Sequence, residues 1–160
     1  MEAIRGFQGQ YEFLSNFCIH KMDMTISGLP LRLCSSEAAY HMFKLFRDWR
    51  NPTQEELVRA QEFALTAITP GRAKRLGRRI PIDIGYWDSV KDDVMYFVLT
   101  AKFSDPELRQ DLLATGDAHL EETNTWNDTY WGVCGGIGKN RLGELLMRLR
   151  ASLAGPGGEA

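Results

Sequence analysis

Three segments between residues 53 and 116 carry their own helix start signals, and these constrain the chain more than any other feature. Thr53-x-x-Glu56 has the spacing of a capping box, in which a hydroxyl and a carboxylate each satisfy a backbone N–H group of the other residue. Thr69-Pro70 and Asp105-Pro106 each pair a capping side chain with a proline at the first helical position, where its missing N–H does no harm. The first signal predicts a helix through about Thr66 and the second a helix over GRAKRLGRR. The third predicts one with Leu108, Leu112 and Leu113 inward and Gly116 as its stop. Ser36 predicts the cap of a helix to about Asp48. Val90, Val94, Phe97, Val98 and Ala101 mark a long buried helix, and Leu142, Leu145, Leu146 and Leu149 share one face of the last.

The front of the chain reads differently. Met22, Met24 and Ile26 alternate, Ser27-Gly28 signals a turn, and Leu29, Leu31 and Leu33 alternate again, which predicts a hairpin. Phe7, Tyr11, Phe13 and Phe17 supply rings to pack over it. The expected fold class is therefore mainly α: a multihelical single domain over residues 1–153 with a small N-terminal β element. Residues 154–160 are expected to form a disordered tail.

Composition removes whole classes of function. With 160 residues, 44% hydrophobic and 25% charged, the chain is of globular type, neither disordered nor coiled-coil. No apolar run approaches the roughly 18–20 residues of a membrane span. The first residues lack the basic and apolar regions of a signal peptide, so a cytoplasmic location and no membrane partner are expected. The net charge of −2 does not mark a general nucleic-acid binder, but leaves a local anion site open. Cys18, Cys34 and Cys134 are odd in number and widely spaced, which predicts reduced thiols. His20, His41 and His119 form no ligand-spaced set, and neither metal nor other cofactor is expected.

Four features could carry chemistry. Glu37, Tyr40, His41 and Lys44 lie at i, i+3, i+4 and i+7 and share a helix face. Phe43 and Phe46 flank this face, and a lysine among aromatics loses solvation, so its amine gains nucleophilic character. The run Arg72, Lys74, Arg75, Arg78 and Arg79 is either a solvated helix end or a phosphate-facing patch. Residues 121–140 show no period over most of their length and concentrate Trp126, Trp131, Tyr130 and four glycines around Asp128, which is the usual composition of a functional loop. Within it, residues 132–140 (GVCGGIGKN) are not a phosphate-binding P-loop, yet glycine amides before a helix N-terminus suit an anion. Together these parts suit a ligand with a flat ring, a sugar and a phosphate. They also leave open a module that binds such a ligand without cleaving it.

The same residues resemble the NADAR family, the riboflavin-biosynthesis-intermediate N-glycosidases. The ordered blocks are Leu14-Ser15-Asn16-Phe17; Ser36-Glu37 with Tyr40 and Lys44; Thr69-Pro70 with residues 72–78 (RAKRLGR); Trp87 with Val90-Lys91 and Val94-Met95; Ala101-Lys102-Phe103; residues 112–116 (LLATG); Asn127-Asp128 and Tyr130-Trp131-Gly132; and residues 138–143 (GKNRLG). The resemblance covers roughly residues 7 to 150. It implies a mainly helical fold and hydrolysis of an N-glycosidic bond. Family members act on phosphoribosylamino-pyrimidine intermediates of riboflavin synthesis. Others remove ADP-ribose from guanine, in some cases opposing an ADP-ribosyltransferase toxin. By this resemblance Lys44, Glu37 and Asp128 are the expected catalytic residues. Asn16, Phe17, Tyr40, Trp87, Trp131, Gly132, Gly138, Lys139 and Asn140 are the expected substrate contacts. A glycosylamine can open to an imine, so Lys44 is expected to capture C1 as a Schiff base; direct attack by water is the alternative.

Overall fold

The computed structural model describes residues 2–155. In chain order the strands and helices are β1 (Ile4–Arg5), β2 (Met22–Ile26), β3 (Leu29–Leu33), α1 (Ser36–Met42), α2 (Gln54–Thr66), α3 (Pro70–Gly77) and α4 (Ile84–Lys102), followed by α5 (Pro106–Ala114), β4 (Leu120–Glu121), β5 (Thr123–Asn124), β6 (Val133–Cys134) and α6 (Arg141–Ala154). Short 3-10 turns cover Gly9–Leu14 and Phe43–Leu45. The fold is mainly helical with short strands, as the capped, periodic segments predict. Of the expected tail over residues 154–160, Ala154 is the last residue of α6, and residues 156–160 fall outside the described residues.

The chain divides into two compact units, one of residues 16–101 and one of residues 1–15 with 102–160. In the first, β2 and β3 pair antiparallel with Met22 opposite Leu33 and Ile26 opposite Leu29. Met22, Met24, Ile26, Leu31 and Leu33 turn into the core while the alternate residues face out. Thr53 and Glu56 form the capping box in full, with Thr53 Oγ1 accepting from the Glu56 N–H and Glu56 accepting in return. Thr69 caps α3 by accepting from the Arg72 N–H, and Pro70 occupies the first turn.

Three expectations for this unit are corrected. The helix expected to reach Asp48 stops being α-helical at Met42, tightens into the 3-10 turn and ends where Phe46 becomes extended, φ −95° and ψ 126°. Its cap is Ser35, which accepts from the Ala38 N–H, rather than Ser36. Phe97 was expected inward on the long helix but is 42% exposed. Val94, Met95, Val98 and Leu99 form the buried stripe, and Phe97 lies beside it against Phe43 and Trp49, at 5.8 and 5.7 Å between ring centroids.

In the second unit, α5 begins on Asp105, whose carboxylate accepts from the Glu107 and Leu108 N–H groups, and ends before Gly116 at φ +60°. Leu142, Leu145, Leu146 and Leu149 are all buried on α6, as expected. Arg150, also buried, donates to Thr115 Oγ1 and Ala118 O. The aperiodic stretch is tied by parallel pairs of two residues each, β1 with β4 and β5 with β6. So short a strand leaves no alternation to detect in sequence.

Candidate active site

In the unit of residues 16–101 the start of α1 is held from below by Asn16. Its backbone oxygen accepts from the Glu37 N–H at 3.1 Å, and its Oδ1 accepts from Ser36 Oγ at 2.9 Å. Asn16 is itself buried, and its amide also points at Met95 Sδ. Asn16 therefore serves the placement of Glu37. Phe17 is half exposed and carries Lys74 Nζ over its ring at 5.4 Å.

Glu37 and His41 are both buried, with His41 Nε2 2.9 Å from Glu37 Oε1. Burial pushes the imidazole below its ordinary value, outweighing the Glu37 carboxylate that pulls it up, so the ring is neutral. Nε2 then carries the hydrogen and donates it to Glu37, and His41 Nδ1 is left buried without a partner among the described residues. The ring is clamped by α3: a Cβ added at Gly77 would lie 2.2 Å from His41 Nδ1. Gly77→Ala should therefore expel the ring and break the bond to Glu37. Overpacking of this kind costs about 1–3 kcal/mol. A lower Tm together with reduced turnover checks this, and an alanine variant of unchanged Tm would refute the clamp.

Lys44 sits on the 3-10 turn, half-buried, with Nζ 5.7 Å from the ring centroids of both Tyr40 and Trp87. Those rings are themselves in contact at 5.2 Å. The expectation that Phe43 and Phe46 would shield the amine is corrected: Phe43 packs into a cluster with Phe46, Trp49 and Phe97, and Tyr40 and Trp87 do the shielding. Tightening to three residues per turn explains the change, because it rotates Lys44 relative to an ideal α-helix. Burial lowers the Lys44 pKa from its ordinary value; Glu37 opposes this, while Arg78 and Lys91 reinforce it. The amine opens on a cleft of about 480 Å³ lined also by Phe46, Arg47, Asp83, Tyr86 and Trp87.

In the other unit Asp128 is half-buried, and its Oδ1 accepts from the N–H groups of Tyr130 and Trp131 at 3.1 and 2.9 Å. The indole of Trp131 stands edge-on to Tyr130 at 4.9 Å. Lys139 is exposed, with Nζ 5.5 Å from the Tyr130 ring. Gly132 and Gly138 have duties inside the loop. A Cβ at Gly132 would fall 2.2 Å from Glu122 O, and one at Gly138 2.1 Å from Gly132 O. Asn140 is buried and uses its amide on Leu120 O and on the Glu122 N–H. Those three residues account for the shape of the loop.

Sequence reasoning overlooked two residues. His41 was visible on the right face, but only its distance to Glu37 reveals its partner. The other is Glu122, whose Oε2 is buried with no hydrogen-bond partner among the described residues; it stands among other acids in a stretch without period, and no sequence signal distinguishes it.

The sequence matches the NADAR domain over residues 5–154. It is 46% identical over 114 residues to the N-glycosidase YbiA of Shigella boydii, spanning 64% of this chain and 71% of that one. It is 34% identical over 143 residues to a riboflavin biosynthesis protein of Vibrio vulnificus, spanning 88% of this chain and 35% of that longer one. The fold superposes on the NMR structure of the Escherichia coli protein YbiA with a TM-score of 0.74 at 36% identity, covering 96% of this chain and 87% of that one. These relatives settle the choice between enzyme and non-catalytic binding module in favour of a hydrolase of the N-glycosidase type. With the match running from Arg5 to Ala154, this chain belongs to the NADAR domain family.

Proposed function

We propose that the chain hydrolyses the bond between ribose C1 and an amino group carried by a base, with Lys44 as the nucleophile. The sugar is that of ribose 5-phosphate or ADP-ribose. The base is an aminopyrimidine of riboflavin synthesis, or guanine in DNA or a nucleotide. The observation that carries the reading is the setting of Lys44: an amine between two aromatic rings, held below its ordinary pKa by burial, at the wall of a cleft. The ring-opened glycosylamine presents C1 as an iminium carbon. Lys44 adds to it, and the C1–N bond to the base breaks as that nitrogen takes a proton. A lysine Schiff base remains. Water then adds to C1, and collapse of the carbinolamine releases the reducing sugar and the lysine amine. In this reading Glu37, whose charge acts on Lys44 and whose orientation His41 fixes, moves protons in both halves. Arg78 and Lys91, whose charges reach Lys44, favour a phosphate on the sugar.

Incubation with a phosphoribosylamino-pyrimidine and, separately, with ADP-ribosylated guanine in DNA and as a nucleotide tests the reading. Release of an intact amine-bearing base with a free reducing sugar is the expected result. The riboflavin-related relatives support the pyrimidine, and an outcome in which none of these substrates is cleaved would defeat the proposal. Any pairing with an ADP-ribosyltransferase toxin follows only from activity on the guanine substrates.

Trp87 gives a further expectation. It lines the cleft while 94% of its surface is covered, so it offers an edge or part of a face to a base. Trp87→Ala should weaken substrate binding by about 1–3 kcal/mol, the scale of base–aromatic stacking, seen as a rise in KM. An unchanged KM would remove Trp87 from the binding wall.

A further inference from the structure

α3 turns one face to α1: Pro70, Ala73 and Gly77 are buried, and Gly77 closes on His41. Arg72 and Arg75 are exposed on the helix, and Arg78 and Arg79, also exposed, follow at its end. Lys74 is half-buried, with its ammonium over the Phe17 ring at 5.4 Å. No acid occurs between Glu62 and Asp83. None of these cations lies within 4 Å of a carboxylate among the described residues. Arg32, Arg50 and Lys91 of the same unit do face one, at 2.7, 3.9 and 2.7 Å.

Helix stability does not account for this arrangement. The first turn of a helix favours acids and the last turn favours cations. α2 follows that rule with Glu55 and Glu56 at its start, and α5 with Glu107. α3 has no acid in its first turn and carries Arg72 there. Lys74 and Arg75 in the last turn suit the dipole, but Arg72 opposes it. A cationic face left unpaired against the dipole calls for a partner that brings the negative charge.

We propose that this face of α3 docks the backbone of single-stranded DNA, with Arg72, Arg75 and Arg79 on phosphates and Phe17, 45% exposed, offering its ring to a base. Guanidinium groups match phosphate oxygens, and a row of them matches a chain of phosphates better than one terminal phosphate. Cations that track a backbone beside an aromatic ring are the usual parts of a single-strand site. A duplex keeps its bases stacked, out of reach of Phe17 and of the cleft at Lys44. The inference rests on the part of the proposed function in which the base is guanine in DNA, and names how that strand is held. The face and the cleft belong to the same unit, and the Arg78 charge reaches Lys44.

The test uses the full chain and a fluorescein-labelled, unmodified single-stranded oligodeoxynucleotide containing guanine, followed by anisotropy over a salt series. For the wild type, log K against log salt should fall with a slope of about −2 or steeper, since each phosphate contact on a single strand contributes about −0.7. The triple variant Arg72→Gln, Arg75→Gln, Arg79→Gln should bind roughly 10²-fold more weakly at about 0.1 M salt and lose about two units of slope. Arg78 is left in place because its charge acts on Lys44. Arg59→Gln, which removes an exposed charge from α2, should change neither quantity. Arg72→Gln alone should weaken binding while Tm holds or rises, because a cation leaves the positive end of the helix. With substrate, the triple variant should raise KM for ADP-ribosylated guanine in single-stranded DNA and leave KM for the ADP-ribosylated nucleotide unchanged. Wild-type binding that ignores salt, undiminished binding by the triple variant, or tighter binding of the duplex or of RNA of the same sequence would each overturn the docking face. If the triple variant does not fold, Arg72→Gln decides the matter. Failure to cleave either guanine substrate would overturn the reading of the reaction on guanine, while the anisotropy arm, which needs no cleavage, still decides the docking.

Discussion

Lys44→Arg should leave the protein folded and remove its activity. Arginine preserves the positive charge and most of the stem, but its guanidinium stays protonated and supplies no neutral amine. Loss of a covalent nucleophile is expected to cost about 10⁴-fold or more in turnover. The wild type, treated with borohydride during turnover, should carry an adduct at Lys44 with the mass of the reduced sugar phosphate or ADP-ribose. Activity should rise with pH as the amine loses its proton, through a midpoint below the ordinary lysine value, because burial beside Tyr40 and Trp87 disfavours the charged form. Normal turnover in Lys44→Arg, with no adduct in the wild type, would return the mechanism to direct attack by water.

Glu37→Gln should lower turnover by roughly 10²–10⁴-fold, the range of general acid–base catalysis, with Tm changed little. The amide oxygen can still accept from His41 Nε2, so the local packing survives the substitution. A second effect follows from charge. The Glu37 carboxylate favours the protonated form of Lys44, so its loss should move the Lys44 midpoint to lower pH. A variant with fewer protons on Lys44 and yet slower chemistry separates proton transfer from nucleophile ionisation. A pH–rate profile identical to that of the wild type in shape and height would deny Glu37 both parts.

What the sequence made legible was local. The capping box at Thr53 and Glu56, the Thr69-Pro70 and Asp105-Pro106 starts and the leucine face of α6 all act within a few residues, and each appears where its spacing predicts. The hairpin is equally local, since its register follows from alternation and a two-residue turn. The exact end of α1 was not legible: the change from α to 3-10 at Phe43 coincides with a cluster of Phe43 with Phe46, Trp49 and Phe97 that only the assembled chain brings together. Glu37, Tyr40 and Lys44 could be placed on one helix face by counting. Trp87, far along the chain, reaches Lys44 only through tertiary packing. His41 and Glu122 were missed for the same reason: burial is what sets them apart, and burial is a property of the assembled chain.

The pairing of Ile4 with Leu120 and of Arg5 with Glu121 has a consequence for how the chain is made. The unit of residues 16–101 is continuous, so all its parts are synthesised before α5. The other unit is split between the first fifteen residues and everything after Ala101. Its first strand must wait, with its partner more than a hundred residues away in sequence, and contacts of such separation are slow to form. Lys44 and Glu37 therefore belong to the segment that can mature first on the ribosome. The loop of Glu122 and Asp128 belongs to the segment completed last, so a nascent chain can acquire its lysine pocket before that loop.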